Sequence, residues 1–226
     1  MSLLSQLASL ACAGAMMVSG GVNDVCPQND VNDPLFLVNR EWRISEYYVP
    51  TVEAADVPGQ LKRMIPEAKN QLEALFAAAK EETGKTMTSV SGYRAYSKQA
   101  VIYNRKLKNV GSKAKADEYV ARPGASEHQT GLAMDVGQRG ASSNLNGSYG
   151  KSATGIWLVD NAWRFGFIIR YKEGWEDITG YNYEPWHIRY VGVDDAKAMY
   201  ELNIPMETYL QQVREKHLIE LANKNP

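Results

Sequence analysis

Two of the three histidines in this 226-residue chain stand in dense polar surroundings, SEHQTGLAMDV from Ser126 to Val136 and TGYNYEPWHIRYVG from Thr179 to Gly192. The first stretch carries His128 and, seven residues on, Asp135; the second carries Glu184 and, three residues on, His187. Two imidazoles and one carboxylate are the ligand set of catalytic zinc sites that keep a fourth position open for water. A further carboxylate beside such a metal takes a proton from the attacking water and delivers it to the departing amine. The run Ser91-Gly92-Tyr93-Arg94 adds a guanidinium able to fork onto a substrate carboxylate or onto the negative oxygen that develops in hydrolysis. Taken singly, each feature has a plainer explanation. His128 and Asp135 could be a surface pair, Glu184 could sit in a buried salt bridge with Arg189 or Arg94, and Arg94 could be a structural ion pair. His217, in an expected C-terminal helix, reads as a surface or capping residue.

These groups can meet only if the chain around them bends. In Gly131 to Val136 the apolar Leu132, Met134 and Val136 point one way, and Ala133 and Asp135 the other, as in a strand that buries one face. A seven-residue separation would put His128 on the opposite face of a continuous strand, but Gly131 and the polar Gln129 and Thr130 allow a turn. Pro185 makes a helix improbable at Glu184-Pro185-Trp186-His187, so extended backbone is expected, with a bulge that lets Glu184 and His187 converge.

Around them, Ala68, Leu72, Leu75, Phe76 and Ala79 mark one face of a helix over 66–82, with Pro66 in its first turn and Gly84 as its stop. A strand is expected over 86–91, then a helix capped by Ser97 and running to about 109. Another helix is expected over 154–165, with Ile156, Val159, Ala162 and Trp163 facing inward. Short strands follow at 167–171 and 186–191, and the tail over 194–223 reads as helical with a break at Pro205. Residues 35–52 read as an extended wrapping segment. Without a βαβ rhythm, the fold class is α+β: a small antiparallel sheet with flanking helices.

Composition limits the functions available. With 44% hydrophobic and 23% charged residues the chain is an ordinary globular protein, and 25 basic against 26 acidic residues give no global charge for gripping nucleic acid. Two cysteines, Cys12 and Cys26, exclude a disulfide-dense scaffold and a cysteine-built zinc finger, while leaving one bridge conceivable. Residues 1–34 read as a signal-like or linker segment ahead of a domain at 35–226. The first basic residue is Arg40, and the Ser, Gly and Gln content of residues 3–21 is poor material for a stable membrane span.

Read together, SGYR at 91–94, SEHQTGLAMD at 126–135 and EPWHIRYVG at 184–192 resemble the zinc D-alanyl-D-alanine carboxypeptidases of bacterial cell walls. That group includes vancomycin-resistance D,D-peptidases, L,D-carboxypeptidases, lysostaphin-like enzymes and the hedgehog signalling domain. The likeness covers about residues 35–200 and extends to WLVDNAWRFGFIIRY at 157–171. It implies a hedgehog/D,D-peptidase-like fold, Zn2+ as cofactor, and His128, Asp135 and His187 as its ligands. It further implies Glu184 as catalytic base and Arg94 as transition-state or carboxylate partner, with Ser126, Gln99, Trp186 and Tyr93 contacting substrate. The implied activity is removal of a C-terminal D-alanine from peptidoglycan stem peptides, outside the cytoplasm. L,D-cleavage, L-alanyl-D-glutamate endopeptidase action and a non-catalytic zinc-bound binding module are the alternatives. Retention of Glu184 argues against the last, since a binding module needs no base beside its metal. Contacts that choose among the bonds are expected in 35–58 and in the loop 137–152.

Overall fold

The computed structural model describes residues 30–141 and 145–224. The signal-like reading of the N-terminus and any Cys12–Cys26 bond lie outside the described residues. Residues 30–52 wrap the surface without strand or helix, as expected, and lead into a two-stranded antiparallel ribbon of β1 (Glu53–Ala54) and β2 (Arg63–Met64). Helix α1 (Pro66–Thr83) starts on its proline and stops at Gly84, which takes the left-handed conformation. Its buried residues are the five expected: Ala68, Leu72, Leu75, Phe76 and Ala79.

That face packs on a four-stranded sheet of β3 (Met87–Ser91), β4 (Ala133–Gln138), β5 (Phe167–Tyr171) and β6 (Glu184–Tyr190), in the order β3-β4-β6-β5 and antiparallel throughout. Alternation sorts each strand. Met134, Val136, Phe167, Ile169, Ile188 and Tyr190 enter the main core with α1, while Ala133, Asp135, Arg170, His187 and Arg189 occupy the other side of the pleat. A second cluster closes part of that other side. It joins Leu37, Ile168 and Val191 to helices α6 (Val193–Leu202) and α7 (Met206–Lys224), which Pro205 separates.

Helices α2 (Tyr96–Val110) and α3 (Lys113–Asp117) follow β3, and α4 (Ala153–Asn161) runs into a 3-10 turn at Ala162–Phe165. The short helix α5 (Glu176–Thr179) precedes β6. Two expectations need correction. Ser97 is no cap: it lies inside α2, which begins at Tyr96, with Ala95 at the cap position two residues earlier and no side-chain bond. The inward face of α4 is Thr154, Trp157 and Leu158, continued by Ala162, whereas Ile156 is 55% and Val159 36% exposed. Both phases of this helix carry apolar side chains; the phase of Trp157 and Leu158 is the buried one, and the Trp157 indole N–H donates to Glu82 Oε2 at 2.7 Å on α1.

Just past β3 the backbone is held against β2. Gly92 N–H donates to Leu61 O at 2.6 Å and Tyr93 N–H to Arg63 O at 2.7 Å. A Cβ on Gly92 would lie 2.6 Å from Arg63 O and 2.8 Å from Leu61 O, so only glycine fits there. Gly92→Ala is therefore expected to cost about 1–3 kcal/mol of stability, read as a lower urea midpoint at unchanged slope. A midpoint equal to wild type would refute this reading of the close approach.

Candidate metal and catalytic site

Asp135 and His187 are direct cross-strand partners where β4 pairs with β6, which puts both side chains on the same face. His187 Nδ1 lies 2.9 Å from Asp135 Oδ1. His128 reaches the same carboxylate from the 3-10 turn Glu127–Thr130, its Nε2 being 3.3 Å from Asp135 Oδ2. Gly131, at φ 76°, supplies the reversal between that turn and β4. The bend expected before Asp135 is thus present. So is the bulge at Pro185: Ile169 pairs with Ile188 but Tyr171 with Glu184, so β6 spends two more residues than β5 over that interval. Glu184 thereby shares the cleft with His187.

One ligand-type atom from each of His128, Asp135 and His187 fits within 4.8 Å of the others, and all three residues are buried. Ligands of a tetrahedral zinc with bonds of about 2.0–2.2 Å lie about 3.4 Å apart, and the two histidine–aspartate spacings here are 2.9 and 3.3 Å. The donor chemistry also fits. His128 Nδ1 lies 2.8 Å from Gly92 O and must donate its proton there, which leaves the Nε2 lone pair facing Asp135. Burial, with Arg94 nearby, lowers the His128 pKa and favours the neutral ring a metal needs. Burial alone would raise the Asp135 pKa, but the two histidines hold it well below the ordinary carboxylate range.

The cleft over this cluster holds about 240 Å³ and is lined by Arg94, Gln99, Ser126, His128, Asp135, Glu184, Trp186 and His187 among others. Eight of the nine residues singled out from sequence meet there. Tyr93 is not among the lining residues; its phenol lies close enough to Tyr48, on the wrapping segment, to affect that residue's ionisation. Arg94 donates from Nη1 to Gln99 Oε1 at 2.7 Å and from Nη2 to Ser91 Oγ at 2.9 Å, and stands 3.8 Å from Asp135 Oδ2. Gln99 is fixed in turn by a 2.6 Å bond from Nε2 to Ala121 O. Glu184 is half-buried, and burial pushes its pKa up to about 7, with Asp135 and Glu127 adding to the rise against His187 and Arg94. Arg189 is not its salt-bridge partner, because that guanidinium bonds Glu127.

Glu127 is the residue sequence reasoning missed. Its carboxylate has no exposed surface and accepts from Arg170 Nε at 2.8 Å and Arg189 Nη1 at 2.9 Å. The signal was available: Arg170 in FIIRY and Arg189 in WHIRY interrupt apolar strand runs, and buried cations demand a buried anion.

Comparison with known proteins places residues 61–193 in the family model VanY, D-alanyl-D-alanine carboxypeptidase. A Bacillus subtilis protein, YodJ, whose carboxypeptidase assignment is provisional, is 44% identical over 187 residues, 80% of this chain and 68% of its own. The D-alanyl-D-alanine carboxypeptidase of Enterococcus faecalis is 37% identical over 184 residues, 78% of this chain and 65% of its own. The chain therefore spans about two thirds of these relatives' length. Among solved structures, the LD-carboxypeptidase LdcB matches with TM-score 0.75 and 41% identity, over 82% of this chain and 87% of its own. VanYB in complex with D-alanine-D-alanine matches with TM-score 0.69 and 35% identity, over 79% of this chain and 97% of its own.

Burial disfavours a charged His187, but its bonds to Asp135 and Glu127 outweigh this and raise its pKa to about 9. At pH 7.5 the metal-free ring is accordingly an imidazolium, and metal can enter only by displacing a proton. Ring ¹⁵N shifts of the metal-free protein are expected to show a doubly protonated His187 at pH 7.5 that loses one proton at about pH 9. A His187 ring already neutral at pH 7.5 would contradict this account.

Proposed function

The chain belongs to the VanY family of D-alanyl-D-alanine carboxypeptidases, and from that premise we propose which of its residues carry out zinc-dependent removal of a C-terminal D-alanine from peptidoglycan stem peptides. His128, Asp135 and His187 hold the metal, and Ser126, Gln99 and Trp186 shape the cleft around the terminal residue. The observation that carries this reading is the buried His-Asp-His cluster with Glu184 on the same cleft wall. A zinc ion held by these three residues would supply polarisation of the scissile carbonyl and activation of water at neutral pH.

The protein's own groups then move the proton. Glu184 takes it from the attacking water and hands it to the departing D-alanine amine as the C–N bond breaks. Burial, which raises the pKa of this carboxylate, makes it a better proton acceptor than an exposed glutamate. Arg94 supplies fixed positive charge for a negative oxygen of the substrate. Only two of its five N–H donors are taken by Gln99 and Ser91, so it arrives braced with donors to spare. Its place 3.8 Å from a metal-ligand carboxylate puts cation and metal site about one small residue apart, which favours a substrate that ends in the cleft over an internal bond. Such a substrate places the enzyme's work at the cell wall, outside the cytoplasm. Among the described residues no helix is long and apolar enough to cross a membrane.

Glu184→Gln is expected to lower kcat by about 10²–10⁴-fold while zinc stoichiometry stays at wild type. Activity near wild type would refute the base assignment. Mass spectrometry of penta-, tetra- and tripeptide muropeptides after incubation with the zinc-loaded protein is expected to show loss of one terminal D-alanine. Loss from the pentapeptide marks D,D-cleavage and loss from the tetrapeptide marks the L,D-cleavage of LdcB-like relatives. Products cut further up the stem would overturn the exopeptidase reading.

A further inference from the structure

Glu127 takes no part in the steps above, yet it is wholly buried one residue from a proposed metal ligand and in contact with another. Removing a carboxylate from water costs several kcal/mol unless partners repay it, and a purely structural ion pair would need only the two arginines. The carboxylate divides its oxygens instead. Both guanidinium groups bond Oε1, and Oε2 lies 3.3 Å from His187 Nε2. The arginines are themselves anchored. Arg170 makes a bidentate pair with Glu207 on α7, at 2.9 and 2.6 Å, and Arg189 Nη2 donates to Pro34 O and Phe36 O, each at 2.8 Å.

An imidazole whose Nε2–H is held by a fixed carboxylate has only Nδ1 left to offer, and Nδ1 is the nitrogen that faces Asp135. We propose that Glu127 is a positioning residue that locks His187 in the Nε2–H form and so aims Nδ1 at the metal. The proposal rests on the metal-site reading above. It gives the two histidines different supports, a backbone carbonyl for His128 and an ion-paired carboxylate for His187. Outer partners of this kind set ring orientation and ligand basicity, and losing one weakens metal binding by about 10–100-fold.

The test begins with the wild-type protein. It has only three histidines, so long-range ¹H–¹⁵N spectra of ring-labelled, zinc-loaded protein resolve each ring. His187 is expected to carry metal on Nδ1 and a proton on Nε2. Metal on Nε2 would overturn this proposal and leave the site intact, whereas no change in any ring on adding zinc would sink the site and the proposal together. The second arm uses Glu127→Asp, which keeps the charge for both arginines but withdraws the carboxylate from Nε2. Its zinc dissociation constant, read by chelator competition, is expected to rise about 10–100-fold. Glu207→Gln, which loosens Arg170 without touching His187, is expected to lower Tm with zinc affinity within about threefold of wild type. A folded Glu127→Asp protein with wild-type zinc affinity would overturn the proposal.

Discussion

Asp135 stands opposite His187 in the pairing of β4 with β6, and the rest of the site is arranged around that pairing. A strand slipped by one residue exchanges its two faces, which here would send Asp135 into the core beside Leu72 and bring Met134 out beside His187. The register is therefore held by the same burial that stabilises the domain. Met134, Val136, Ile188 and Tyr190 have essentially no exposed surface, and burying side chains of this size is worth about 1.5–3 kcal/mol each. Chemistry on one face is fixed by packing on the other. No loop needs to find its place for two of the three proposed ligands to meet.

The polar face is costly and is organised accordingly. Glu127, Arg170, Arg189, Asp135 and His187 all lie in the interior, where a charge without a partner is strongly destabilising. Each has one. Burial works against ionising Glu127, yet Arg170, Arg189 and His187 hold its pKa well below the usual carboxylate range. Because Arg189 also binds the wrapping segment at Pro34 and Phe36, and Arg170 binds Glu207 on α7, both ends of the described domain are tied to one buried anion. Residues near both ends of the described domain therefore converge on a carboxylate that also touches His187. Buried ion pairs contribute little net stability, so a cluster this large is better understood as specifying geometry than as a source of free energy.

Sequence alone made the site legible where one local rule was enough. Alternation in Gly131 to Val136 placed Asp135 away from the core, small Ala133 left room beside it, and Gly131 and Pro185 marked the two places where the backbone had to depart from a straight strand. Helix α1 was equally plain, since its stripe, its proline and its glycine agree. The failures share a cause. In α4 two apolar phases compete, and periodicity alone does not say which one packs against the core, where Trp157 and Leu158 are buried. Tyr93 belongs to the same short motif as Arg94, but neighbours on an extended chain point to opposite sides, so motif membership does not imply the cleft. Glu127 escaped because a glutamate between two proposed functional residues looks like an exposed one until Arg170 and Arg189 are known to lie on the same side of the sheet.

Division of labour between the sheet and the segments around it explains how one core serves relatives that cut different bonds. The proposed metal ligands and base sit on β4, β6 and the turn before β4, where packing leaves little freedom. The outer wall of the cleft is different in kind. Ile102 comes from α2, Tyr119, Val120 and Ala121 from the stretch after α3, and Leu145 from the segment leading to α4. These side chains are mainly apolar, and Tyr119 is 55% exposed with Lys106 Nζ 3.9 Å above its ring. Exchanging such residues changes the shape of the cleft without disturbing a buried charge, so it costs far less stability than any change at Asp135 or His187. The outer wall can therefore vary while the buried cluster stays fixed. The one exception is Ala121, whose carbonyl holds Gln99 and through it Arg94, so movement of this part of the wall is transmitted to Arg94.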